Sequence, residues 1–196
     1  MAAEPALGVS FGAQVQWDTL KGMARVKADS KIKSEQELRE IVAGLKSAGT
    51  KIVWTNGCFD ILHEGHVSCL ERARELGDAL VVGVNTDSSV RSIKGPGRPV
   101  NPERERARAV SALTCVDYAV IFDDLTTVRL LKMLHPDVYV KGGDYTIDTI
   151  NQEERAVVES YGGRIEILPE VKGVSTTRIV QQRQGTADRS AAETDG

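Results

Sequence analysis

The chain has 196 residues, of which 41% are hydrophobic and 27% are charged, as expected for a single globular domain with a proper core. The formal net charge of −3 argues against a protein that binds the phosphate backbone of nucleic acids, because such proteins usually carry a basic excess. The N-terminus lacks the apolar segment of a signal peptide, and no apolar run approaches the ~20 residues that span a bilayer, so a membrane role is not expected.

The chain divides into a central domain with a looser segment at each end. Residues 1–30 show no clear periodicity and are predicted to form a partly disordered N-terminal extension. Residues 185–196 have the small and polar composition of a disordered tail. Residues 31–184 between them are predicted to form the functional domain.

Apolar strands alternate with helical segments through this domain. Ser34 and Glu37 form a capping-box signature for one helix, and Asn101 followed by Pro102 marks the start of another. The predicted strands are 51–55, 79–86, 118–122, 137–143 and 164–169. The predicted helices are 34–48, 66–76, 101–113, 125–134, 151–161 and one that begins near 173, with a loop over 91–101. This alternation predicts an α/β fold, a Rossmann-like three-layer domain with a five-stranded parallel sheet.

The first strand leads into the segment TNGCFDILHEGH at residues 55–66. Ligands of such folds bind outside the carboxyl ends of the strands, so this segment is the first candidate site. His63 and His66 are three residues apart near a helix start and can share one face of that helix. The unpaired N–H groups of a helix start favour phosphate, and Gly57 and Gly65 allow a ligand to approach the backbone closely. The segment therefore predicts a site for a polyphosphate.

Other interpretations of the histidines are weaker. A lone histidine is usually structural, but a pair at a strand-to-helix junction is less easily explained that way. No third or fourth zinc ligand occurs at a customary spacing, and Cys58, Cys69 and Cys115 form no CxxC pair. An odd number of cysteines fits free thiols in a reducing cytoplasm. The Walker A loop and the GxGxxG fingerprint are both absent.

Polar residues also follow the second strand. Asn85 and Asp87 could cap a helix or contact a substrate. Lys94 and Arg98 flank a glycine-rich segment that could fold over an anion or only connect two elements. Arg106, on the next predicted helix, could contact phosphate or form a surface ion pair.

Two later segments complete the candidate edge. KGGDY at 141–145 could approach a ribose or base, although Gly-Gly-Asp is also ordinary turn chemistry. GVSTT at 173–177 places three hydroxyl groups at a helix start, where they could cap the helix or bind phosphate. All these segments fall at one edge of the predicted sheet.

The HxGH sequence after the first strand, together with VSTTR at the last helix, resembles the nucleotidyltransferase superfamily over about residues 52–180. More narrowly, the HxGH segment, GRPVNPERERARAVSAL and PDVYVKGGDY are similar to adenylyltransferases for D-glycero-β-D-manno-heptose 1-phosphate. The resemblance is to the stand-alone form, without the sugar kinase to which that domain is often fused. It implies adenylyl transfer from ATP to the sugar 1-phosphate for lipopolysaccharide core synthesis. It also implies that Mg²⁺ arrives with ATP and that no protein motif supplies metal ligands.

The resemblance implies which residues form the site. The implied catalytic residues are His63, His66, Lys94 and Arg106. The implied nucleotide-binding residues are Asn56, Gly57, Cys58, Phe59, Gly65, His66, Lys141, Gly142, Asp144, Val174, Ser175, Thr176 and Thr177. No readable motif fixes the sugar contacts, for which the candidates are Asp60, Asn85, Asp87 and Arg98. The implied partners are ATP and a sugar 1-phosphate, bound by a cytoplasmic homodimer that binds neither nucleic acid nor membrane.

One position departs from the related cytidylyltransferases, which have arginine three residues before the glycine of GxSTT. Here that residue is Glu170, which weakens a cytidylyl assignment. The alternatives are cytidylyl or adenylyl transfer to glycerol 3-phosphate, a flavin or another phosphorylated acceptor, and a non-catalytic nucleotide-binding sensor. A tRNA-binding relative of the class I synthetases is disfavoured by the acidic chain.

Overall fold

The computed structural model describes residues 27–143 and 145–169. The helices are α1 (Ala28–Lys31), α2 (Glu35–Ser47), α3 (Glu64–Arg74), α4 (Asp87–Lys94), α5 (Glu103–Ser111), α6 (Val128–Leu134) and α7 (Gln152–Ser160). The strands are β1 (Ile32–Lys33), β2 (Ile52–Gly57), β3 (Ala79–Asn85), β4 (Tyr118–Phe122), β5 (Val138–Gly142) and β6 (Arg164–Leu168). Within these ranges no helix is both long and apolar enough to cross a membrane. The helix predicted from residue 173 and the tail at 185–196 lie outside the described residues.

The strands form one parallel sheet in the order β1-β4-β3-β2-β5-β6. The five predicted strands lie within two residues of their predicted bounds. The predicted count of five is wrong, because β1 adds a sixth strand at the edge, where Ile32 and Lys33 pair with β4. Two residues are too few for a periodic pattern. α1 begins at Ala28, inside the range predicted as the N-terminal extension.

Helices cover both faces of the sheet, which confirms the predicted three-layer α/β architecture. One buried cluster joins the sheet to α2, α6 and α7 and includes Leu38, Leu131 and Val158. The other joins the opposite face to α3 and α5 and includes Leu70 and Val110. The strand β3 is buried along its whole length, as its continuous apolar sequence indicates.

The starts of α2 and α5 show how well caps were predicted. The capping box at α2 is confirmed, since Ser34 and Glu37 exchange side-chain to backbone hydrogen bonds. The cap at Asn101 is wrong, because α5 starts at Glu103 with Pro102 at its N-cap. Asn101 instead donates its side-chain amide to the backbone oxygen of Asp60 at 2.6 Å.

The segment predicted as a loop over 91–101 is helical up to Lys94. These residues are the last turn of α4, which the side chain of Thr86 caps. The sequence DSSVRSIK has only two apolar residues, so its periodicity is too weak to predict a helix. The helix predicted over 125–134 begins only at Val128.

Three aspartates close the amino edge of the sheet. Asp78, Asp117 and Asp137 each immediately precede one of the strands β3, β4 and β5. Their carboxylates accept backbone N–H groups of Lys51 at 2.8 Å, Leu80 at 2.8 Å and Ile52 at 2.7 Å, respectively. Backbone donors that the strand ladder leaves unpaired are thereby satisfied by charge-assisted hydrogen bonds. The carboxyl edge of the sheet is where the candidate site lies.

Candidate active site

The order in which the chain adds strands to the sheet reverses at β2. From β2 the chain continues through β3 to β4 on one side, and it then returns to β5 on the other side of β2. Such a switch point opens a crevice at the carboxyl edge of a parallel sheet. The predicted polyphosphate segment starts here, between the ends of β3 and β5.

His63 and His66 lie together at the start of α3. His63 is the N-cap residue, and its backbone oxygen accepts the N–H of His66 at 2.9 Å. The two imidazole rings are stacked, with centroids 3.8 Å apart and planes inclined by 26°. Both side chains are half-buried. The predicted shared face is therefore present, as a pair of stacked rings beside the N–H groups of a helix start.

Burial determines the protonation state of His66. Its pKa is lowered to about 4, first because burial penalises the charged ring and then because of the neighbouring His63. Lys94 acts in the same direction, whereas a backbone hydrogen bond with Ile61 opposes the shift. At neutral pH His66 is therefore an uncharged imidazole, and its single ring N–H takes part in the hydrogen bond with Ile61.

Phe59 supports the histidine pair from one side. Its ring centroid lies 5.3 Å from that of His66, with the planes inclined by 59°. Phe59 has a φ of 46°, an uncommon left-handed conformation for a bulky residue. A Cβ atom on Gly57 would lie 3.2 Å from the Phe59 ring, so the glycine leaves room for this ring. Gly57, predicted to admit a ligand, thus has a packing role as well.

Arg106 is buried under the site and is only 2% exposed. Its guanidinium donates to the backbone oxygens of Asn101 at 2.9 Å, Asn85 at 2.7 Å and Cys58. It also donates to the carboxylate of Asp87 at 2.8 Å. Four of its five N–H donors thus bind the chain itself. Both predicted alternatives, a phosphate contact and a surface ion pair, fit this position less well than a structural cation that ties the strand ends together.

Asp60 holds the loop over 95–101. Asp60 is only 3% exposed. Its carboxylate accepts hydrogen bonds from the side chain of Arg98 at 2.5 Å and from the backbone N–H groups of Val100 at 2.7 Å and Asn101 at 3.2 Å. Both carboxylate oxygens are therefore engaged within the chain. Their predicted contact with a sugar stays a prediction, and the structure gives Asp60 and Arg98 the role of fixing this loop.

Asn85 also bonds to its own chain. It is 3% exposed, and its side-chain amide donates to Ser89 Oγ at 2.9 Å and to the backbone oxygen of Asp124 at 3.2 Å. Asp87 is half-buried and bonds to Arg106. Their predicted sugar contacts likewise stay predictions.

Lys94 lies exposed at the last residue of α4. Its positive charge is one of the smaller causes of the lowered pKa of His66. Cys58 is half-buried nearby, and burial raises the pKa of its thiol above the ordinary value. Among the candidate cations that the structure describes, Lys94 is the exposed one.

Lys141 lies on β5, with its side chain 15% exposed. Its ammonium is 3.3 Å from Glu154 Oε2 and 3.4 Å from Asn56 Oδ1. The next residue, Gly142, packs against Cys69, whose sulfur would lie 2.5 Å from a Cβ atom at position 142. A side chain at this position would therefore displace the Cys69 side chain of α3.

A family model of cytidylyltransferase-like proteins matches residues 54–182. The chain belongs to the cytidylyltransferase-like family. The predicted superfamily and the predicted enzyme class, nucleotidyltransferase, are confirmed. The match includes the histidine pair, Lys94, Arg106 and Lys141.

Curated relatives of this family member are bifunctional proteins named HldE. The protein from Geotalea uraniireducens is 52% identical over 161 residues, which cover 82% of this chain and 32% of the relative. The protein from Syntrophotalea carbinolica is 49% identical over 154 residues, which cover 79% of this chain and 31% of the relative. The chain spans about a third of the length of these curated relatives.

Solved structures of similar proteins share the fold. A lipopolysaccharide core biosynthesis protein from Thermoplasma volcanium is 29% identical, with a TM-score of 0.53, and the match covers 64% of this chain and all of that one. A pantoate-beta-alanine ligase from Francisella tularensis is 13% identical, with a TM-score of 0.52, and covers 72% of this chain and 67% of that one. The second likeness concerns the fold alone.

Five candidate residues of this cytidylyltransferase-like chain lie outside the described residues. They are Asp144, Val174, Ser175, Thr176 and Thr177. Glu170, which departs from the pattern of related cytidylyltransferases, also lies outside them. The predicted phosphate contacts at the last helix stay predictions.

Two residues at the site were not predicted. Glu154 and Tyr139 are both buried and join each other and Lys141 in a polar cluster. Glu154 reads in the sequence as one of two acidic residues in the first turn of a helix, which usually face solvent. The alternation of β5 could have indicated Tyr139, because it shares a strand face with Lys141.

Proposed function

We propose that the chain transfers an adenylyl group from ATP to D-glycero-β-D-manno-heptose 1-phosphate, giving ADP-heptose and pyrophosphate for lipopolysaccharide core precursors. The observation that carries the proposal is the stacked pair of His63 and His66 at the start of α3, in the crevice beside β2. The HldE relatives and the lipopolysaccharide core biosynthesis protein support the choice of acceptor.

The proposed reaction is an in-line displacement. A phosphate oxygen of the sugar 1-phosphate attacks the α-phosphorus of ATP, and the bond from that phosphorus to the bridging oxygen breaks. Pyrophosphate leaves with the electron pair of the broken bond. Because the nucleophile is already an anion, the reaction needs positioning and charge stabilisation rather than a general base.

The site residues divide this work in the proposal. His63 and His66 donate hydrogen bonds to oxygens of the reacting phosphate, beside the N–H groups of α3, and His66 exchanges its hydrogen bond with Ile61 for one to the substrate. Lys94 supplies a mobile positive charge for the phosphates. Arg106 and Asp60 hold the ends of the strands and the loop over 95–101 in place. In this division Arg106 and Asp60, whose side chains bond within the chain, do not contact the reacting atoms.

Magnesium belongs to the nucleotide in this proposal. Among residues 27–143 and 145–169, no group of three or more His, Cys, Asp or Glu side chains could hold a metal ion. In the proposal Mg²⁺ is carried by the triphosphate of ATP, whose charge it neutralises when bound. The proposed enzyme works in the cytoplasm as a homodimer.

The test is pyrophosphate release in the presence of Mg²⁺. ATP and CTP are each offered with heptose 1-phosphate and with glycerol 3-phosphate. We expect release only with ATP and the heptose. The His66→Ala variant should lose turnover while it still binds ATP, because the hydrogen bond of the imidazole strengthens in the transition state.

Each other outcome removes a defined part of the proposal. Release with CTP or glycerol 3-phosphate would keep the reaction type and replace the substrates. Binding of ATP without release from any pair would favour an untested acceptor or a nucleotide sensor. Unchanged turnover in His66→Ala would remove His66 from the mechanism.

A further inference from the structure

A buried carboxylate lies behind the nucleotide side of the site. Glu154, in the first turn of α7, has a side chain that is 4% exposed. Its oxygens accept the backbone N–H of Thr127 at 2.9 Å and the hydroxyl of Tyr139 at 2.6 Å. The ammonium of Lys141 lies 3.3 Å away. A buried carboxylate is costly unless it is paired and hydrogen-bonded, and here it is both.

The hydroxyl proton of Tyr139 is directed at Glu154. Tyr139 is fully buried, and burial and the charge of Glu154 raise the pKa of its phenol well above the ordinary value. Tyr139 is therefore a donor, and its single proton goes to Glu154 at 2.6 Å rather than to Asn56 Oδ1 at 3.4 Å. This arrangement leaves the Asn56 oxygen to the ammonium of Lys141, which lies 3.4 Å away.

The cluster reaches the site through the ends of two neighbouring strands. Asn56 is the last residue of β2 before Gly57, and Lys141 is the residue before Gly142 on β5. β2 and β5 are paired, so the two side chains meet across the sheet. Because the Asn56 oxygen accepts from Lys141, its NH₂ group points away from Lys141.

We infer that Glu154 is a positioning residue for the nucleotide, which fixes the ammonium of Lys141 and, through Lys141, the amide of Asn56. This inference rests on the proposed function, because it takes Asn56 and Lys141 as nucleotide contacts. Lys141 then acts as an oriented donor whose charge is already compensated. The phosphates rely for positive charge on other groups, such as Lys94.

The test is a double-mutant cycle on nucleotide binding, with Lys141→Met, Glu154→Gln and the double variant. Gln keeps the size of Glu and can still accept the backbone N–H of Thr127, while its NH₂ group can donate to the hydroxyl oxygen of Tyr139, but it lacks the charge that holds Lys141. The Kd of Mg·ATP is measured by calorimetry without acceptor, and kcat and KM are measured with it. Glu153→Gln is the matched control, since its side chain is 65% exposed on the neighbouring position of the same helix.

We expect Glu154→Gln to raise the Kd and KM of ATP about tenfold, with a smaller change in kcat. The Kd of ATP for the double variant should not exceed the higher of the two single-variant Kd values, because Glu154 and Lys141 act as one unit. Glu153→Gln should bind ATP like the wild type. Thermal unfolding of every variant identifies any that fail to fold.

Two outcomes would overturn the inference. One is a folded Glu154→Gln variant with the ATP affinity of the wild type, which would give Glu154 a purely structural role. The other is additive losses in the double variant. A wild type that binds ATP but releases no pyrophosphate would contradict the proposed function alone, and a wild type that binds no ATP would overturn both.

Discussion

At the scale of single residues, the uncharged state of His66 determines how it can assist a polyphosphate. A neutral imidazole donates one directed hydrogen bond and adds no net charge. The positive charge must then come from other groups, among which Lys94 is exposed and close enough to influence His66. In the proposed reaction, the stacked rings would orient the phosphate through hydrogen bonds, and other groups would supply the positive charge.

The lowered pKa of His66 predicts a loss of stability in mild acid. Between pH 6.5 and about 4, the unfolded chain binds a proton at this histidine while the folded chain does not, so stability falls as the pH falls. Replacing His66 by Asn should remove about 2 kcal/mol of this loss, after allowance for partial exposure. The measurement is the free energy of unfolding by urea at several pH values.

The matched control for this experiment is His135→Asn. His135 is exposed and has a φ of 45°, a conformation that Asn tolerates. This variant should keep the pH dependence of the wild type. If His66→Asn also kept it, the burial of His66 in the folded chain would not be the cause.

The site residues that sequence could predict are those with an unusual local spacing. His63 and His66 were predicted because HxGH follows a strand, and the structure stacks their rings. The inward roles of Asp60 and Arg106 were not predicted, since most of their partners lie 19 to 48 positions away in the chain. Hydrogen bonds over such separations depend on packing that the local sequence does not encode.

At the scale of elements, Arg106 links four parts of the carboxyl edge. From α5 it reaches the residue after β2, the end of β3, the start of α4 and the segment before its own helix. Its planar group can direct several hydrogen bonds at once, which an ammonium cannot. One side chain therefore fixes the relative positions of elements that border the site.

Replacing Arg106 by Met should lower the free energy of unfolding by about 3 kcal/mol or more, because buried oxygens lose their donors and Asp87 loses its partner. Arg106→Lys should recover little of this loss. Both variants should also bind ATP less tightly. The measurements are denaturant unfolding and calorimetry.

Arg108 provides the control on the same helix. Its side chain is 68% exposed and 3.7 Å from Asp29. Arg108→Met should change the free energy of unfolding by no more than about 0.5 kcal/mol. A similar small effect of Arg106→Met would contradict the role assigned to its buried bonds.

Elements with a clear period or a long apolar run were predicted, and the others were missed. β3 is apolar up to its last residue, Asn85, and was predicted to within one residue. β1 has two residues, and it exists because β4 offers it a partner strand. α4 depends on the cap at Thr86 and on the burial of Val90 rather than on an apolar stripe. These elements are set by tertiary contacts, which override weak local preferences.

At the scale of the whole molecule, Lys31 joins the first described residues to the body of the domain. Its ammonium donates to the backbone oxygens of Leu113 at 3.0 Å and Val116 at 2.7 Å. These bonds hold α1 and β1 against the connection that leads into β4. We therefore expect α1 and β1 to unfold together with the sheet.

Replacing Lys31 by Met should lower the free energy of unfolding by about 1 to 2 kcal/mol and should speed amide exchange in β1 and β4. Lys27→Met is the control, because Lys27 is exposed just before α1. Equal exchange rates in the two variants would show that α1 and β1 fold independently of the sheet.

The amino edge and the carboxyl edge of the sheet differ in whether they carry the candidate site. At the amino edge, three aspartates already accept backbone N–H groups at or next to the starts of β2 and β3. A label or surface tether attached there would sit behind the working edge. Ala48, exposed in the connection into β2, is a position for a cysteine handle. A chain immobilised through it would turn the edge that carries the candidate site towards solution, the orientation that a nucleotide sensor chip would require.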